Sequence, residues 1–423
     1  MKTVSFYTLG CRLNFSETGT ISSQFKENGY TILPFEEQAD VVFLNTCTVT
    51  DQADSTCLQL IKQARKNSPS GKIIVAGCYA QMESEKLKQI KDVDLILGTE
   101  EKFKALEYLK EQDTLESYID LHNEFYQSAT SLESSKTRAF LKIQDGCNYI
   151  CSFCIIPFAR GRSRVGKIQT LTEEAKKIIN LGFQEIVLTG VNIGEFEKTG
   201  GERLEDLIES LSNLGLKRLR LSSVEPNTIT NSLLQSLQQS GIYQNHFHIP
   251  LQSGSNTILK SMRRKYTSEQ YLETLHRIKE YFPSAAIGAD VICGFPGESE
   301  EDFLLTYNLI KNSPLTHLHV FPYAQRQKTT ASKLPSQLSS SLKKERVRAL
   351  IQLGEEKKEQ YAKSLIGKVV EVLFEKKKNN LSQGYTPEFL KCFISENISE
   401  NSIAKVVLTD YHNKELFGKI YEQ

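Results

Sequence analysis

The feature that most constrains the fold is a repeated alternation of short apolar runs and amphipathic helical patterns, which extends through most of this 423-residue chain. Residues 1–110 contain four β-rich runs with helical patterns between them: Val4 to Leu9, Val41 to Asn45, Ile73 to Ala76 and Leu95 to Leu97. Such alternation predicts an α/β domain with an open parallel sheet, and these sheets bind ligands at the carboxyl ends of their strands.

A second alternation begins at Arg138, after a weakly periodic, serine-rich stretch at residues 111–137 that we interpret as a linker. The predicted strands are Ala139 to Ile143, Glu185 to Val191, Arg218 to Ser223, His246 to Leu251, Ala286 to Cys293 and His317 to Tyr323. Six strand–helix units over residues 138–335 predict a partial parallel (βα)6 barrel. Parallel barrels carry their sites on the loops at the carboxyl ends of the strands.

The C-terminal part changes pattern. Residues 336–365 predict a long charged connecting helix, and residues 366–423 alternate apolar and polar residues in short runs separated by turn signals. We predict a small β-barrel there. Compact β-barrels often bind oligonucleotides, although the fold alone does not determine function.

Three cysteines, Cys147, Cys151 and Cys154, lie within eight residues directly after the first predicted barrel strand. Three thiolates at this spacing can surround one metal centre. A zinc ribbon would show a second CxxC pair, and none follows. Three thiolates on a four-iron cluster leave one iron open for a small chelating molecule. A zinc knuckle or simply reduced thiols are the remaining alternatives.

A second group of three cysteines is dispersed in sequence. Cys11, Cys47 and Cys78 each follow a predicted strand of the N-terminal sheet, so we expect the three thiols to meet at one sheet edge. A purely structural role is the alternative. Packing in apolar cores is the favoured interpretation of the other three cysteines, Cys57, Cys293 and Cys392.

Further polar and glycine-containing segments follow the other predicted barrel strands: Thr189 to Gly194, Ser222 to Pro226, Ile249 to Ser255 and Cys293 to Glu298. Each is weak by itself, because a glycine after a strand is usually a turn. Together they predict a rim of donors and acceptors that suits a nucleoside with an amino-acid tail.

Composition limits the partners. A net charge of +1 means that any nucleic acid must bind through local basic patches. No run approaches the length of a membrane span, and nine cysteines without a recognisable secretory leader favour the reducing cytoplasm.

Candidate phosphate-binding groups are Arg160, Arg162 and Arg164 beside the cysteine loop, and Arg263 and Arg264 in another loop. A solvated surface is the alternative. Lys376, Lys377 and Tyr385 offer backbone and stacking contacts on the small barrel.

Two histidine pairs, His246 with His248 and His317 with His319, stand on predicted strands at i and i+2, where both side chains share a face. Each pair could chelate a metal ion. Because the sequence indicates no third ligand, packing or substrate contact is the favoured interpretation.

These motifs together resemble the methylthiotransferases, radical SAM enzymes with an N-terminal cluster domain, a six-unit barrel and a C-terminal TRAM domain. The CxxxCxxC spacing is the superfamily's signature, with Phe153 as the aromatic residue before the last cysteine. Residues 144–164, the two segments at 189–194 and 222–226, and the turn at 384–387 are most similar to the branch that modifies N6-threonylcarbamoyladenosine in tRNA. Arg12, Phe15 and Val165 depart from that pattern and leave fine substrate contacts open.

The resemblance implies a two-cluster enzyme. Cys147, Cys151 and Cys154 would hold the 4Fe-4S cluster that binds S-adenosyl-L-methionine (SAM), and Cys11, Cys47 and Cys78 an auxiliary 4Fe-4S cluster. One SAM would methylate a sulfur at the auxiliary cluster, and a second would yield a 5'-deoxyadenosyl radical that activates C2 of the adenine. The implied SAM contacts are Phe153, Gly190, Ser223, Glu225, Ile292, Gly294 and Gly297. Glu225 before Pro226 is equally interpreted as a helix-starting turn.

The expected partners are the anticodon stem-loop of tRNA, SAM and a low-potential electron donor. Two alternatives stay open. The same chemistry could act on isopentenyladenosine in tRNA or on an aspartate of a ribosomal protein. A non-catalytic RNA-binding or iron-sensing module is the third hypothesis, and the presence of all six cysteines disfavours it.

Overall fold

The computed structural model describes residues 2–110, 116–129, 137–375 and 377–422. Its first unit is a six-stranded sheet in which all neighbouring strands are parallel, in the order β2-β1-β3-β4-β5-β6. The elements are β1 (Thr3–Thr8), α1 (Arg12–Glu27), β2 (Thr31–Leu33), β3 (Val41–Thr46), α2 (Asp51–Asn67), β4 (Lys72–Gly77), α3 (Cys78–Met82), α4 (Ser84–Leu87), β5 (Leu95–Leu97), α5 (Ala105–Tyr108) and β6 (Glu116–Tyr118).

This sheet is covered on both faces. Val42 and Leu44 of β3 pack in one apolar cluster, whereas Val41 and Phe43 pack in another on the opposite face. Burial on both sides explains why the central strands are continuous apolar runs. The predicted open parallel sheet is confirmed. The sequence analysis missed the three-residue edge strands β2 and β6, and β6 lies inside the stretch that we interpreted as a linker.

The second unit is the partial barrel. Its elements are β7 (Ser128–Ala129), β8 (Arg138–Lys142), β9 (Gln144–Asp145), α6 (Ile156–Arg160), β10 (Arg164–Val165), α7 (Ile168–Asn180), β11 (Glu185–Thr189), α8 (Phe196–Gly200), α9 (Leu204–Ser212), β12 (Arg218–Leu221), α10 (Asn231–Gln239), β13 (His246–His248), α11 (Asn256–Ser261), α12 (Ser268–Tyr281), β14 (Ala286–Cys293), α13 (Glu300–Asn312) and β15 (His317–Pro322).

The six predicted barrel strands are present as β8 and β11 to β15. Together with β7 they form two hydrogen-bonded sheets, β12-β11-β8-β7 and β13-β14-β15, and a bridge between Leu219 and Tyr243 connects the two sheets. Ala139 and Leu141 of β8 pack against the surrounding helices. Since side chains alternate along a strand, Arg138, Phe140 and Lys142 face the interior of the partial barrel. The same alternation puts polar side chains of the other strands inside.

A long helix, α14 (Ser340–Lys363), leads to a closed five-stranded barrel in the order β16-β17-β18-β20-β19. Its strands are β16 (Val369–Phe374), β17 (Ser382–Tyr385), β18 (Lys391–Ile394), β19 (Ile403–His412) and β20 (Glu415–Ile420). Arg220, which Glu185 holds at 3.0 Å, donates hydrogen bonds to the carbonyl oxygens of Thr386 and Pro387 at 2.9 and 2.7 Å. This contact attaches the small barrel to the partial barrel. No helix among the described residues has the length and apolar character needed to cross a membrane.

A buried ionic network joins the first unit to the partial barrel. The Arg160 guanidinium lies 3.0 Å from Glu17 of α1 and 2.9 Å from Asp145 of β9. Glu17 also binds Lys102 at 2.6 Å and Lys142 at 3.2 Å. Burial alone would favour the neutral acid, but Arg160 and the two lysines hold the pKa of Glu17 well below its ordinary value. The charges are therefore retained inside the interface.

Two predicted phosphate-binding residues are thus corrected. Arg160 is 1% exposed, and Arg164 is 6% exposed and lies 3.2 Å from both Glu100 and Asp145. Guanidinium groups enclosed by carboxylates of their own chain are inaccessible to RNA phosphate. The spacing of three arginines in five residues indicated a basic patch, but the backbone directs only Arg162 to the surface.

Replacing Arg160 with leucine is expected to cost roughly 3–5 kcal/mol of stability, because Glu17 and Asp145 would remain buried with fewer cationic partners. The full-length Arg160→Leu protein should melt several degrees below the wild type in a thermal scan. Lys177→Ala is the matched control: it removes an exposed ion pair with Glu174 and should change stability by at most about 1 kcal/mol. Equal melting of all three proteins would contradict a stabilising role for the network.

Candidate two-cluster site

The three N-terminal cysteines lie at the carboxyl ends of the adjacent strands β1, β3 and β4, as their sequence positions predict. Cys11 precedes the first residue of α1, Cys47 follows β3, and Cys78 begins α3. Gly10 has a φ of +97°, and a Cβ there would lie 3.0 Å from the Cys47 Sγ. Only glycine tolerates both this backbone conformation and this approach. The turn after β1 thereby brings Cys11 beside Cys47.

Asn14 fixes two of these turns. Its side-chain amide donates to the carbonyl oxygens of Leu9 at 2.7 Å and of Thr46 at 3.0 Å. Burial raises the pKa of Cys47 to about 12, and the nearby Cys78 and Cys11 thiols add to the increase. Thiolates are the metal-binding form, so metal binding here must release protons. Three converging sulfur donors fit an iron–sulfur cluster.

The second cysteine group lies in the loop between β9 and α6. The Glu195 carboxylate accepts from the Asn148 amide at 3.0 Å, and the Ser152 amide donates to the Met262 carbonyl at 3.1 Å. These contacts attach both halves of the loop to the barrel rim. Burial raises the pKa of Cys147 and of Cys154 to about 12. The donor set again consists of three thiols, which suits a four-iron cluster with one open iron.

A cavity of about 190 Å³ lies between the two cysteine groups. Val49 and Thr50, just after Cys47, line one side, and Phe153 and Cys154 line another. The remaining wall comes from the carboxyl-terminal parts of the barrel strands: Gln252, Asp290, Ile292, Phe321, Pro322 and Tyr323, with Ile155, Ile156, Ala324 and Arg326 at its margins. A molecule in this cavity would touch loops of both cysteine sites.

The predicted SAM contacts are distributed unevenly around this cavity. Phe153 and Ile292 line it, whereas Gly190, Ser223, Gly294 and Gly297 are not among its lining residues. Gly294 has a φ of +73°, and its amide already donates to the Glu298 carboxylate at 2.9 Å. Gly297 also has positive φ, +83°, and no atom lies within 4 Å of a Cβ built on it.

Glu225 and Arg264 form an ion pair with each other, and a guanidinium nitrogen of Arg264 lies 3.3 Å from the Cys151 Sγ. The Arg264 side chain is 3% exposed. It therefore occupies the rim of the cysteine loop and is not available as an external phosphate clamp, which corrects our prediction for this residue. Glu225 and Arg264 are 39 positions apart in the sequence, so no local pattern indicated that they form a pair.

Tyr385 is partly buried and has partners within the protein. Its ring stacks on Phe389 with centroids 4.9 Å apart, and the Arg138 guanidinium lies 4.3 Å from the ring centroid. The ring is thus engaged at the junction of the small barrel with the partial barrel. Lys376 lies outside the described residues. Arg162, Arg263 and Lys377 are exposed.

The remaining cysteines are core residues. Cys57, Cys293 and Cys392 are at most 1% exposed, and each belongs to an apolar cluster of its own unit. The sequence analysis missed the supporting polar residues Asn14 and Glu195. A polar side chain three residues after Cys11 at the start of a helix was the available signal for Asn14.

Comparisons with known proteins cover most of the chain. Residues 141–310 match the radical SAM superfamily, and residues 3–98 match a family described as uncharacterized protein family UPF0004. In solved structures, the radical SAM methyltransferase TsrM from Kitasatospora setae has a TM-score of 0.58 at 13% identity, over 78% of this chain and 77% of that one. This similarity concerns the fold alone.

Curated relatives are closer. A protein of Bacillus subtilis, threonylcarbamoyladenosine tRNA methylthiotransferase MtaB, is 40% identical over 96% of this chain and 93% of its own length. The MtaB of Aquifex aeolicus is 39% identical over 90% of this chain and 95% of its length. A tRNA-2-methylthio-N(6)-dimethylallyladenosine synthase of Thermoanaerobacter sp. is 31% identical over 98% and 92%. This chain therefore belongs to the methylthiotransferase family of radical SAM enzymes, in the MtaB branch.

Proposed function

We propose that this protein transfers a methylthio group to C2 of N6-threonylcarbamoyladenosine, at position 37 beside the anticodon of tRNA. The observation that carries the proposal is a cavity bordered by the Cys47 loop on one side and the Cys154 loop on the other. The MtaB relatives at 40% and 39% identity support the choice of modified base, since the dimethylallyladenosine synthase is 31% identical.

The residues of the site differ in role: some would hold the two clusters, and others would surround and orient the bound molecules. Cys147, Cys151 and Cys154 would hold the SAM-binding cluster, and Cys11, Cys47 and Cys78 the auxiliary one. When bound, SAM and the two clusters supply the radical and sulfur chemistry that an unactivated aromatic C–H requires. The Arg264 guanidinium beside Cys151 adds a fixed positive charge near that cysteine.

Several SAM contacts are part of the proposal. Phe153 and Ile292 would pack on SAM inside the cavity, while Gly190, Ser223, Gly294 and Gly297 would border it from the rim. Glu225 would act through Arg264, to which it is paired. A low-potential electron donor is required for reductive SAM cleavage. The nine free cysteines and the tRNA substrate favour the reducing cytoplasm as the compartment in which the protein acts.

For tRNA, the exposed side chains of Arg162, Arg263 and Lys377 would contact phosphates, and the C-terminal barrel would act as a TRAM-like RNA-binding domain. Arg160, Arg164 and Arg264 are excluded from this surface by their internal ion pairs.

Expression in a strain that lacks the activity should restore 2-methylthio-N6-threonylcarbamoyladenosine in digested tRNA, measured by nucleoside mass spectrometry. The Cys147→Ala protein is the negative control. If iron-loaded wild-type protein leaves this nucleoside absent, the proposed activity is wrong. A methylthio group on isopentenyladenosine, or on an aspartate of a ribosomal protein, would identify the alternative substrate.

The two cysteine groups should be separable by iron content and by SAM cleavage. Anaerobically reconstituted wild-type protein should contain about eight irons per chain, and Cys147→Ala or Cys47→Ala about four. Cys147→Ala should abolish formation of 5'-deoxyadenosine, whereas Cys47→Ala should retain it and lose methylthiolation. Cys392→Ala, in the core of the small barrel, should keep all the iron. SAM cleavage that survives Cys147→Ala would refute the assignment of the SAM-binding cluster.

Removing one exposed charge should weaken tRNA binding in a salt-dependent way. Arg263 has a φ of +59°, which asparagine tolerates, so Arg263→Asn removes the charge with little backbone strain. We expect weaker binding and a slope of log K against log salt that is smaller by about one. Lys177→Asn, on an exposed side chain of α7, should bind tRNA like the wild type. Identical salt slopes for wild type and Arg263→Asn would exclude Arg263 from the phosphate contacts.

A further inference from the structure

The interior of the partial barrel contains a side-chain cluster that the proposed reaction does not use. His248 of β13, Asp290 of β14 and His319 of β15 come from three adjacent parallel strands. The Asp290 Oδ1 lies 3.0 Å from the His248 Nε2 and 3.4 Å from the His319 Nδ1. One ligand atom from each residue lies within 4.8 Å of the others. The third ligand that the sequence did not indicate is therefore Asp290.

The backbone holds these three side chains in place. Asp290 and His319 are direct partners in the β14–β15 register, and the backbone carbonyl of Asp290 accepts hydrogen bonds from the Leu251 and Gln252 amides at 3.1 and 2.8 Å. Sites built on strands are positioned more accurately than sites on loops. The arrangement is thus preorganised and needs no folding of a loop around a ligand.

A second pair of histidines, His246 and His317, lies beside the cluster on the same strands. The His317 ring stacks on the His246 ring, with centroids 5.4 Å apart, and lies edge-on to the His319 ring at 6.0 Å.

The cluster opens towards the reaction cavity. Asp290 is itself a lining residue of the cavity, next to Gln252 and Ile292, and the His319 side chain is 56% exposed. His248 and Asp290 are more enclosed, at 11% and 26%. One residue of the cluster thus borders the cavity and another is exposed, which leaves room for further ligands on a metal ion.

We propose that His248, Asp290 and His319 bind a divalent first-row transition-metal ion whose open coordination positions face the cavity between the two cysteine groups. Two imidazoles and one carboxylate are a frequent donor set for Zn²⁺ and Fe²⁺. This site differs in chemistry from the two thiol groups, which favour iron–sulfur clusters. It is independent of the identity of the modified base and would exist in the protein without tRNA.

The test uses full-length protein with both clusters loaded and with Zn²⁺ as the probe. After incubation with Zn²⁺ and removal of free metal, zinc and iron are counted by mass spectrometry. The wild type should retain about one zinc per chain in addition to its iron. His319→Ala and Asp290→Asn should each weaken zinc binding by at least 10-fold, with unchanged iron content.

His412→Ala is the matched control, because His412 also contacts a carboxylate, Asp410, at 2.9 Å, but on the exposed surface of the small barrel and outside this three-residue cluster. It should retain the zinc. Unchanged iron and an unchanged melting temperature show that each variant is folded. Absence of extra zinc in the wild type, or retention of zinc by both His319→Ala and Asp290→Asn, would overturn the proposal. Since no tRNA is present, neither result depends on the methylthiolation activity.

Discussion

The contact on which the relative position of the two cysteine groups depends is the buried pairing of Arg160 with Glu17 and Asp145. Glu17 lies on α1, which begins directly after Cys11, and Asp145 lies two residues before Cys147. Arg160 ends the helix that follows Cys154 and donates to the Asn14 side chain at 2.6 Å. Because ions buried without partners cost several kcal/mol, the two units cannot shift without disrupting this network. It therefore sets the distance across which the cavity extends.

The parallel topology of the two α/β units also positions the cysteine groups. Both α/β units have parallel strands, and parallel strands end on the same side of their sheet. In the first unit this brings together cysteines that are about 30 residues apart in sequence, and in the second it places the cysteine loop among the other strand-end loops. When the two units meet through Arg160, the two sets of strand ends border one cavity. Two sulfur sites at a fixed separation are what a two-step transfer needs.

The sequence predicted the elements whose signal is local. Period-two and period-3.6 patterns located the barrel strands, and strand-end positions located all six cysteines. Edge strands such as β2, with only three residues, gave too short a pattern. The close spacing of the arginines wrongly indicated a basic surface patch, because the long side chains of Arg160 and Arg164 reach carboxylates that are far away in sequence. Whether an arginine meets RNA or an internal glutamate depends on tertiary partners, which no local pattern contains.

The histidines inside the barrel show the same limit: a local sequence pattern does not reveal the tertiary partners of a side chain. The i, i+2 spacing of His317 and His319 correctly indicated a shared strand face, but their environments differ: His317 stacks on His246 inside the barrel, whereas the His319 side chain is 56% exposed. Asp290 on the neighbouring strand distinguishes His319 from His317, since its carboxylate lies close to His319 and His248. The thiols that we propose as cluster ligands thus follow the strand ends, whereas the proposed nitrogen and oxygen ligands lie within strands. Because thiolates differ in metal preference from imidazole and carboxylate groups, donors on separate elements would let iron–sulfur clusters and a different metal ion bind without exchange of ligands.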